Sequence, residues 1–303
     1  MPGWLHVGLA SLYNVRMRLL AHPFILYLLV LAFGAIIGSF LSMLVYRLPI
    51  MLKRRWEEDC EALTARHKTP GRRETFNLAL PASHCPHCEA PLGWMENIPL
   101  IGFIALGGRC RHCHTRIPLR YFLIELITTV AAGFSLARFG ATPMGILAFI
   151  ASACLIALTF IDLEEQLLPD AITLPLLWLG LLANVGGLFT SLEAAVIGAA
   201  SGYLFLWLIY HAFRLLTGKE GMGFGDFKLF AAAGAWIGWE LLPVLLLLAS
   251  LVGAITGLAL IALKRHGRGT PIPFGPYLAG AFWLALFYGH PLLFTYLRLA
   301  HGH

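Results

Sequence analysis

The sequence predicts an all-α polytopic membrane protein with about eight transmembrane helices and one small polar domain between the first and the second. Composition gives the first observation, because 58% of the 303 residues are hydrophobic and only 13% are charged, whereas soluble proteins carry about 25% charged residues. The second observation is that the apolar residues fall into runs of about 20, the length that crosses the hydrocarbon core as a helix.

Eight apolar runs are candidate spans, at 24–46, 120–138, 143–163, 171–190, 193–213, 227–241, 243–263 and 274–297. Residues 1–23 mix apolar and polar side chains too freely for a span, and we expect them to form an interfacial segment. The chain therefore divides into four predicted parts: the interfacial segment 1–23, the first transmembrane helix 24–46, a loop domain at 47–119, and a transmembrane core at 120–303.

Basic residues predict the orientation of the spans. The stretch from Arg47 to Arg120 holds 12 of the 22 Lys and Arg residues, and cytoplasmic loops retain basic residues. We therefore expect the 47–119 loop to face the cytoplasm. The net charge of +6 is explained by basic loops beside anionic membrane lipid, so lipid is an expected partner and nucleic acid is not.

Glycines spaced four residues apart indicate close packing between helices, because they let two backbones approach each other. Four such pairs occur in the apolar part of the chain: Gly34 and Gly38, Gly198 and Gly202, Gly234 and Gly238, and Gly253 and Gly257. We interpret all four as packing features.

Two aspartates carry the functional prediction. Asp162 closes the third predicted span and Asp226 opens the sixth, so the parity of the crossings brings both to the cytoplasmic face. A carboxylate that a helix carries into the bilayer costs about 2.5–3.5 kcal/mol on insertion scales, and such residues usually have a function. Two of them at one level favour a shared site.

Two carboxylates that share one water act together as acid and base, since repulsion in a low dielectric keeps both from ionising readily. The ionised member takes a proton from water while the protonated member polarises a carbonyl. This arrangement hydrolyses an amide without a serine or cysteine nucleophile. Asp162 and Asp226 are therefore predicted to be the catalytic pair of an aspartyl protease.

Other interpretations of the two acids remain open. Asp162 is also typical of a helix that simply ends at the interface, and Asp226 of a helix N-cap. The alternative function is a proton-coupled membrane transporter that uses Asp162 and Asp226 as carriers, although a transporter would favour acids near mid-span. A membrane scaffold whose polar loop binds partners is a third function.

Four residues are expected to support the acid pair or a substrate. Gly223 and Gly225 would permit a tight turn, or the close approach of an extended peptide, beside Asp226. Lys228 follows in the same segment. Glu125 lies about one turn into the second span, where a helix–helix hydrogen bond and a substrate contact are equally consistent with the sequence.

Further expectations concern residues outside the acid pair. Asp170 is interpreted as the N-cap of the fourth span, with a third catalytic acid as the less favoured alternative. Trp236 and Trp239 are typical of anchors at the membrane interface. Cys60 and Cys154 are expected to be packing residues.

Two C-x-x-C pairs in the polar loop, with 21 residues between them, predict a metal site. The spacing is just beyond the usual 15–20 residues of a four-cysteine zinc site. The predicted ligands are Cys85, Cys88, Cys110 and Cys113. Four thiolates close a tetrahedral shell and leave no position for water, so the zinc would be structural. Two local disulfides are the alternative, which a reducing cytoplasmic location disfavours. The loop is thus predicted to be a small cytoplasmic zinc-binding domain.

Motifs in the same order along most of 24–290 resemble those of the type IV prepilin peptidases, membrane aspartyl proteases of pilus and type II secretion systems. Besides both cysteine pairs, these motifs are Gly38-Ser39-Phe40-Leu41, Tyr46-Arg47-Leu48-Pro49, Asn97-Ile98-Pro99-Leu100, Asp162 with Leu168-Pro169-Asp170, Gly223-Phe224-Gly225-Asp226, and Ile272-Pro273-Phe274-Gly275-Pro276-Tyr277.

The resemblance implies that Asp162 and Asp226 are the catalytic aspartates of an enzyme in the bacterial inner membrane. It further implies that the substrate is the leader of a type IV prepilin or a type II secretion pseudopilin, cut after a glycine on the cytoplasmic side. N-methylation of the new terminal residue with S-adenosylmethionine is implied as a second activity, by analogy alone. Ser42, Gly102 and Phe122 stand where the resemblance leads us to expect Asn, Ser and Pro.

Overall fold

The computed structural model describes residues 23–63, 76–85, 87–93, 95–219, 221–263 and 272–301. The predicted interfacial segment at 1–23 lies outside these residues, except for Pro23.

Nine helices make up most of the described residues. They are α1 (Pro23–Leu63), α2 (Ile101–Ala105), α3 (Leu119–Phe139), α4 (Pro143–Glu165), α5 (Asp170–Val185), α6 (Leu192–Thr217), α7 (Phe224–Ile237), α8 (Leu242–Ala262) and α9 (Gly275–His301). The described residues contain no β-strand, and an isolated antiparallel bridge joins Arg109 to Arg116. The predicted all-α class is confirmed for this part of the chain.

Each of the eight predicted spans coincides with a helix. Among the described residues, five helices are long and apolar enough to cross a membrane, namely α1, α3, α4, α6 and α8. Helix α5 is apolar but has 16 residues, and α7 has 14. At 1.5 Å per residue α7 is about 21 Å long, shorter than the about 30 Å of a hydrocarbon core. Eight crossings therefore remain a prediction.

Helix α1 does not end where the first predicted span ends. It continues past residue 46, through Pro49, to Leu63. The described chain between α1 and α3 has little regular structure, with only the five-residue helix α2. The first half of the predicted loop domain is therefore partly helical.

The chain forms two compact units, which divide the predicted loop domain between them. The first unit comprises Met1–Phe40 and Cys85–Phe149, and the second comprises Leu41–His84 and Ile150–His303. The cysteine pairs belong to the first unit, and Asp162 and Asp226 belong to the second.

In the first unit, the start of α1 packs tightly against α3 through its two glycines. A Cβ atom placed on Gly34 would lie 2.7 Å from Cβ of Ala132, and one placed on Gly38 would lie 2.7 Å from Cα of Glu125. Only a residue without a side chain permits this approach. The packing role predicted for this glycine pair is confirmed.

Helix α7 is the buried helix of the second unit and packs against α5, α6, α8 and α9. Its close contact with α6 again depends on glycine, since a Cβ atom on Gly234 would lie 2.2 Å from the carbonyl oxygen of Gly198. Gly238 follows the end of α7 with a φ of 81°, and a Cβ atom on Gly198 would lie 3.0 Å from its backbone carbonyl carbon. Close packing and the positive φ are therefore both reasons for glycine there.

Trp236 is fully buried, so the prediction of an interface anchor is wrong for this residue. Its ring fills the space beside Gly180, where a Cβ atom would lie 2.4 Å from the indole. Its Nε1–H donates to the carbonyl oxygen of Leu176 at 2.8 Å. Trp239 is 49% exposed, and its role as an anchor stays a prediction.

Asn184 is a buried polar residue that the sequence did not single out. Its side-chain amide donates to the carbonyl oxygens of Ala235 at 2.9 Å and Trp236 at 3.1 Å. Its Oδ1 accepts from the backbone N–H groups of Phe189 and Thr190, both at 3.0 Å. The residue fastens the end of α5 and its following turn to the end of α7, with donors and acceptor satisfied.

The two cysteines outside the C-x-x-C pairs have different environments. Cys60 is exposed on α1, so the packing prediction is wrong for it, whereas Cys154 on α4 is half-buried.

Helix α9 is kinked at Tyr288. Pro291, three residues later, lacks the N–H that would continue the helical bonding there.

Candidate active site and metal centre

Asp162 lies in the last turn of α4 and is buried, with 6% of its surface exposed. Its Oδ2 accepts a hydrogen bond from the backbone N–H of Gly275 at 3.0 Å. Gly275 is the first residue of α9. A Cβ atom there would lie 2.6 Å from the same oxygen. The carboxylate therefore occupies a space that exists because residue 275 is glycine.

Asp226 lies in the first turn of α7 and is 8% exposed. The N-cap residue of this helix is Gly223 rather than Asp226. The Asp226 carboxylate nevertheless accepts from the backbone N–H of Gly223, so an acid favoured at a helix N-terminus stays an open interpretation. Oδ1 of Asp226 is buried and has no hydrogen-bond partner among the described residues. Since buried polar atoms are nearly always paired, this oxygen calls for a functional explanation.

The structure places both acids within the second unit. Asp162 lies beside Gly275, and Asp226 follows Gly225. The Leu168 side chain packs against both glycines. Its Cβ lies 2.7 Å from the place of a Cβ atom on Gly225, and its Cδ2 lies 3.1 Å from the corresponding place on Gly275. The two acids thus lie in neighbouring parts of the second unit, and their convergence on one water at one membrane face stays a prediction.

Lys228 forms an ion pair with Asp170. Its Nζ donates to both carboxylate oxygens, at 2.6 and 2.7 Å. The N-cap of α5 is the extended residue Pro169, without a side-chain cap, so the N-cap prediction for Asp170 is wrong. As the first helical residue, Asp170 directs its carboxylate to α7 instead.

The two glycines before Asp226 have different surroundings. Gly225 packs against Leu168, which leaves no room for a side chain. Gly223 has an extended backbone with a φ of −83°. A Cβ atom there would lie 3.8 Å from Oδ2 of Asp226, an ordinary contact distance. Gly225 is thus explained by packing, whereas Gly223 lies at the approach to the carboxylate.

Glu125 belongs to the first unit. Its Oε2 accepts from the backbone N–H of Leu100 at 2.7 Å, and its carboxylate also bonds to the Ser39 side chain on α1. Leu100 has a φ of 62°, a conformation that costs energy in a residue with a side chain. The helix–helix hydrogen bond is therefore present, and Glu125 also holds the strained turn before α2.

The four predicted metal ligands form one cluster. Their Sγ atoms all lie within 4.8 Å of one another. Cys85 and Cys113 are 3.8 Å apart, and Cys88 and Cys110 are 3.9 Å apart. Zn–S bonds of about 2.3 Å in a tetrahedron place sulfurs about 3.8 Å apart. The donor set fits zinc. No disulfide joins these cysteines, so the alternative of two local disulfides is wrong.

The two C-x-x-C pairs adopt the same backbone turn, which we call a knuckle. In the first, the N–H of Cys85 donates to Ala90 and the N–H of Glu89 donates to Cys85, both at 2.9 Å. Glu89 has a φ of 56°. The same two bonds and the same left-handed residue recur in the second knuckle, at Cys110, His114 and Thr115. Two equivalent turns thus present two thiols each.

The thiols of the cluster differ in acidity. Hydrogen bonds from the side chain and backbone of Thr115 lower the pKa of Cys113 to about 6, and backbone hydrogen bonds lower the pKa of Cys85. The pKa of Cys88 is raised to about 11 in spite of the hydrogen bond from Ala90, because burial and the neighbouring thiols disfavour its charge. A bound cation would allow all four to be thiolates.

Sequence reasoning did not single out Gly275 and Leu168. Both lie in the quoted motifs, but their importance depends on contacts between segments distant in the chain. Gly102, where serine was expected, has a structural reason. A Cβ atom there would lie 2.2 Å from the carbonyl oxygen of Glu96, so this turn accepts glycine alone.

Two sequence models of known families match the chain. The Type IV leader peptidase family matches residues 149–258, which hold both aspartates. The Bacterial Peptidase A24 N-terminal domain matches residues 32–139, which hold the four clustered cysteines. No solved structure gives a significant match.

Curated relatives match over nearly their whole length. A protein of Aeromonas hydrophila is 51% identical over 92% of this chain and 97% of its own. One of Pseudomonas aeruginosa is 47% identical over 93% and 97%, and one of Legionella pneumophila is 43% identical over 93% and 98%. Each is named prepilin leader peptidase/N-methyltransferase. The chain therefore belongs to the type IV leader peptidase family.

Proposed function

We propose that this protein is an aspartyl endopeptidase of the membrane that removes the leader peptide of prepilins or pseudopilins. The observation that carries the proposal is the pair of buried carboxylates at two helix ends. One of them is held by the N–H of Gly275, and the other keeps a buried oxygen without a partner. Such an oxygen is suited to bind a water or a substrate carbonyl.

The reaction proceeds by acid–base chemistry of Asp162 and Asp226 as one unit. The two carboxylates share one proton. The ionised carboxylate takes a proton from the water molecule while the water oxygen attacks the scissile carbonyl carbon. The protonated carboxyl gives its proton to the carbonyl oxygen. When the tetrahedral gem-diol collapses, the C–N bond breaks, the leaving amine takes up the proton that the pair received from water, and one hydroxyl of the gem-diol returns its proton to the other carboxylate. The pair then again shares one proton.

The location follows from topology and charge. The five long apolar helices support a multi-pass protein, and the basic loop between α1 and α3 supports a cytoplasmic position for that loop. The acids lie in the last turn of α4 and the first turn of α7. In the bacterial inner membrane, this geometry would place the site at the cytoplasmic face, where a leader peptide is accessible.

Zinc would be held by Cys85, Cys88, Cys110 and Cys113, with a structural role. A closed shell of four thiolates supplies no open position for catalysis, and instead joins the two knuckles. The N-methyltransferase names of the relatives imply S-adenosylmethionine, which would supply the methyl group for the new N-terminus. The described residues form no strand and thus no glycine-rich strand-to-helix turn, so we assign no residues to the methyl donor.

The transporter alternative finds no support in the site. Proton carriers would be expected near the middle of spans, whereas both acids lie at helix ends. The names of the relatives do not support transport either.

The test is cleavage of a purified prepilin by the purified protein in detergent or lipid. Asp162→Asn and Asp226→Asn are each expected to lower the cleavage rate by about 10²–10⁴-fold, the usual contribution of a positioned acid or base. Glu193→Gln, an exposed carboxylate in the first turn of α6, is the matched control and should cleave normally. Full cleavage by either aspartate variant would remove that residue from the mechanism.

A further inference from the structure

The ion pair between Lys228 and Asp170 joins the two chain segments that carry the acids. Asp170 begins α5, directly after the turn that leads from Asp162 past Leu168. Lys228 lies on α7, two residues after Asp226. The pair therefore spans from one acid segment to the other, beside the place where Leu168 packs against Gly225.

The ammonium group of Lys228 is bound to Asp170 through two short contacts. Lys228 reaches both oxygens of Asp170, at 2.6 and 2.7 Å. The lysine side chain is 27% exposed and the aspartate side chain 55% exposed. Charge-assisted bonds to two oxygens fix direction as well as distance. Because the ammonium is occupied in this way, and Oδ1 of Asp226 has no partner, Lys228 does not neutralise that oxygen.

Stability alone does not account for such a pair. Solvent-exposed ion pairs contribute little to the free energy of unfolding, and α5 and α7 already pack against each other through Trp236 and Leu176. What the ion pair adds is a fixed position of the first turn of α5 relative to the first turn of α7, which we call the α5–α7 offset. A displacement of about 1 Å in a reacting group can cost about 10²-fold in rate.

We propose that Asp170 and Lys228 are positioning residues, whose ion pair holds the segments of Asp162 and Asp226 at the separation at which one water bridges the carboxylates. This inference rests on the proposed function. Neither residue touches the scissile bond; both act through the placement of the aspartates.

The first test compares kcat and KM for prepilin cleavage in Lys228→Met and Asp170→Asn, which remove one charge each with little change in size. We expect kcat to fall by about 10- to 100-fold, with KM and the melting temperature close to those of the unchanged protein. An unaltered kcat in both variants would overturn the inference. A raised KM with unaltered kcat would also overturn it, since Lys228 would then contact the substrate.

The second test is rescue by exchange of the charges. The double variant Asp170→Lys with Lys228→Asp restores an ion pair of opposite direction. Its kcat should be at least about tenfold higher than that of either exchange alone, Asp170→Lys or Lys228→Asp, as coupled residues show in a double-mutant cycle. A double variant no better than the worse single variant, with an unchanged melting temperature, would contradict a positioning role.

The matched control is the ion pair of Lys53 with Glu165, which belongs to the same unit but joins α1 to α4. Lys53→Met removes an exposed ion pair without touching the α5–α7 offset, so kcat should be unchanged. An equal fall of kcat in Lys53→Met would indicate a general effect of surface charge and would overturn the inference.

The two proposals fail in different ways. If the unchanged protein cleaves prepilin, and Asp162→Asn abolishes cleavage while Lys228→Met does not lower kcat, only the positioning inference is wrong. If the unchanged protein never cleaves a prepilin, the proposed function is wrong, and the inference is overturned with it.

Discussion

The backbone N–H of Gly275 donates to Oδ2 of Asp162 at 3.0 Å, which links the start of α9 to the end of α4. The donor is a backbone N–H, which any residue except proline could supply, but only glycine leaves room for the carboxylate. Asp162 is thereby held in one orientation next to Asp226, which is what a shared water requires.

Substitution of Gly275 by alanine should therefore damage the site while the helix stays intact. The new Cβ would lie 2.6 Å from Oδ2 of Asp162, so the carboxylate must move. We expect the initial rate of prepilin cleavage to fall by at least about tenfold. Gly280→Ala in the same helix, where a Cβ atom meets nothing within 4 Å, should cleave normally. Equal rates in the two variants would contradict the packing argument.

Gly234→Ala tests the close approach of α6 and α7. The added Cβ would lie 2.2 Å from the carbonyl oxygen of Gly198, so the two helices must separate. Overpacking of this kind costs about 1–3 kcal/mol, and the melting temperature in detergent should fall accordingly. A melting temperature equal to that of Gly280→Ala would mean that the contact is not tight.

Trp236→Phe tests the buried indole. The substitution removes the hydrogen bond that the fully buried indole donates to Leu176, and the net contribution of such a bond is about 0.5–1.5 kcal/mol. Trp239→Phe is the matched control, because Trp239 is 49% exposed and surface changes usually stay within about 0.5 kcal/mol. Thermal unfolding followed by tryptophan fluorescence measures both. A larger loss in Trp239→Phe would reverse the assignment of the two residues.

Cys88→Ser tests the metal centre. A shell with three thiolates binds zinc less tightly, so we expect low metal content in the purified protein and a reduced folded yield. Cys60→Ser is the control, since Cys60 is exposed on α1 outside the cluster. Metal content is measured by elemental analysis. Full occupancy in Cys88→Ser would remove this residue from the ligand set.

Metal retention should depend on pH with a definite sign. Zinc binds thiolates, so protons compete with it, and affinity is lost as the pH falls. Even the acidic thiol of Cys113, with a pKa of about 6, becomes protonated below that value when the metal is absent. Zinc released to a colorimetric chelator should therefore rise between about pH 7 and pH 5. A release rate independent of pH would show that thiolates do not hold the metal.

Hydropathy located the helices well but not their ends. The apolar run that predicted a span at 24–46 stops where Lys53, Arg54 and Arg55 begin, yet α1 continues to Leu63. Lys, Arg, Glu, Leu and Ala are good helix formers, so the backbone continues helical after its side chains become polar. A search for long apolar runs finds the part of a helix that can lie in the lipid. It does not detect the polar part of the same helix that extends beyond the membrane.

The pairing of Asp162 and Asp226 stays a prediction, which the sequence permits because the parity of the spans is expected to bring both to one level. The details of the site could not be predicted, since they depend on contacts between distant segments. Asp170 illustrates this, because the sequence next to Pro169 is equally typical of an N-cap and of a first helical residue. The position of Lys228 across the helix interface decides between them. Trp236 is similar, since only the space at Gly180 makes burial possible.

The paired knuckles also imply an order of events while the protein is being synthesised. Each knuckle supplies two thiols, and neither can enclose a metal ion alone. Cys113 is the last of the four to leave the ribosome, and α3 begins soon afterwards at Leu119. If the four thiols hold zinc, the two knuckles can close around it shortly before the second long apolar helix is inserted, so that assembly would proceed from the knuckles towards the helices that follow.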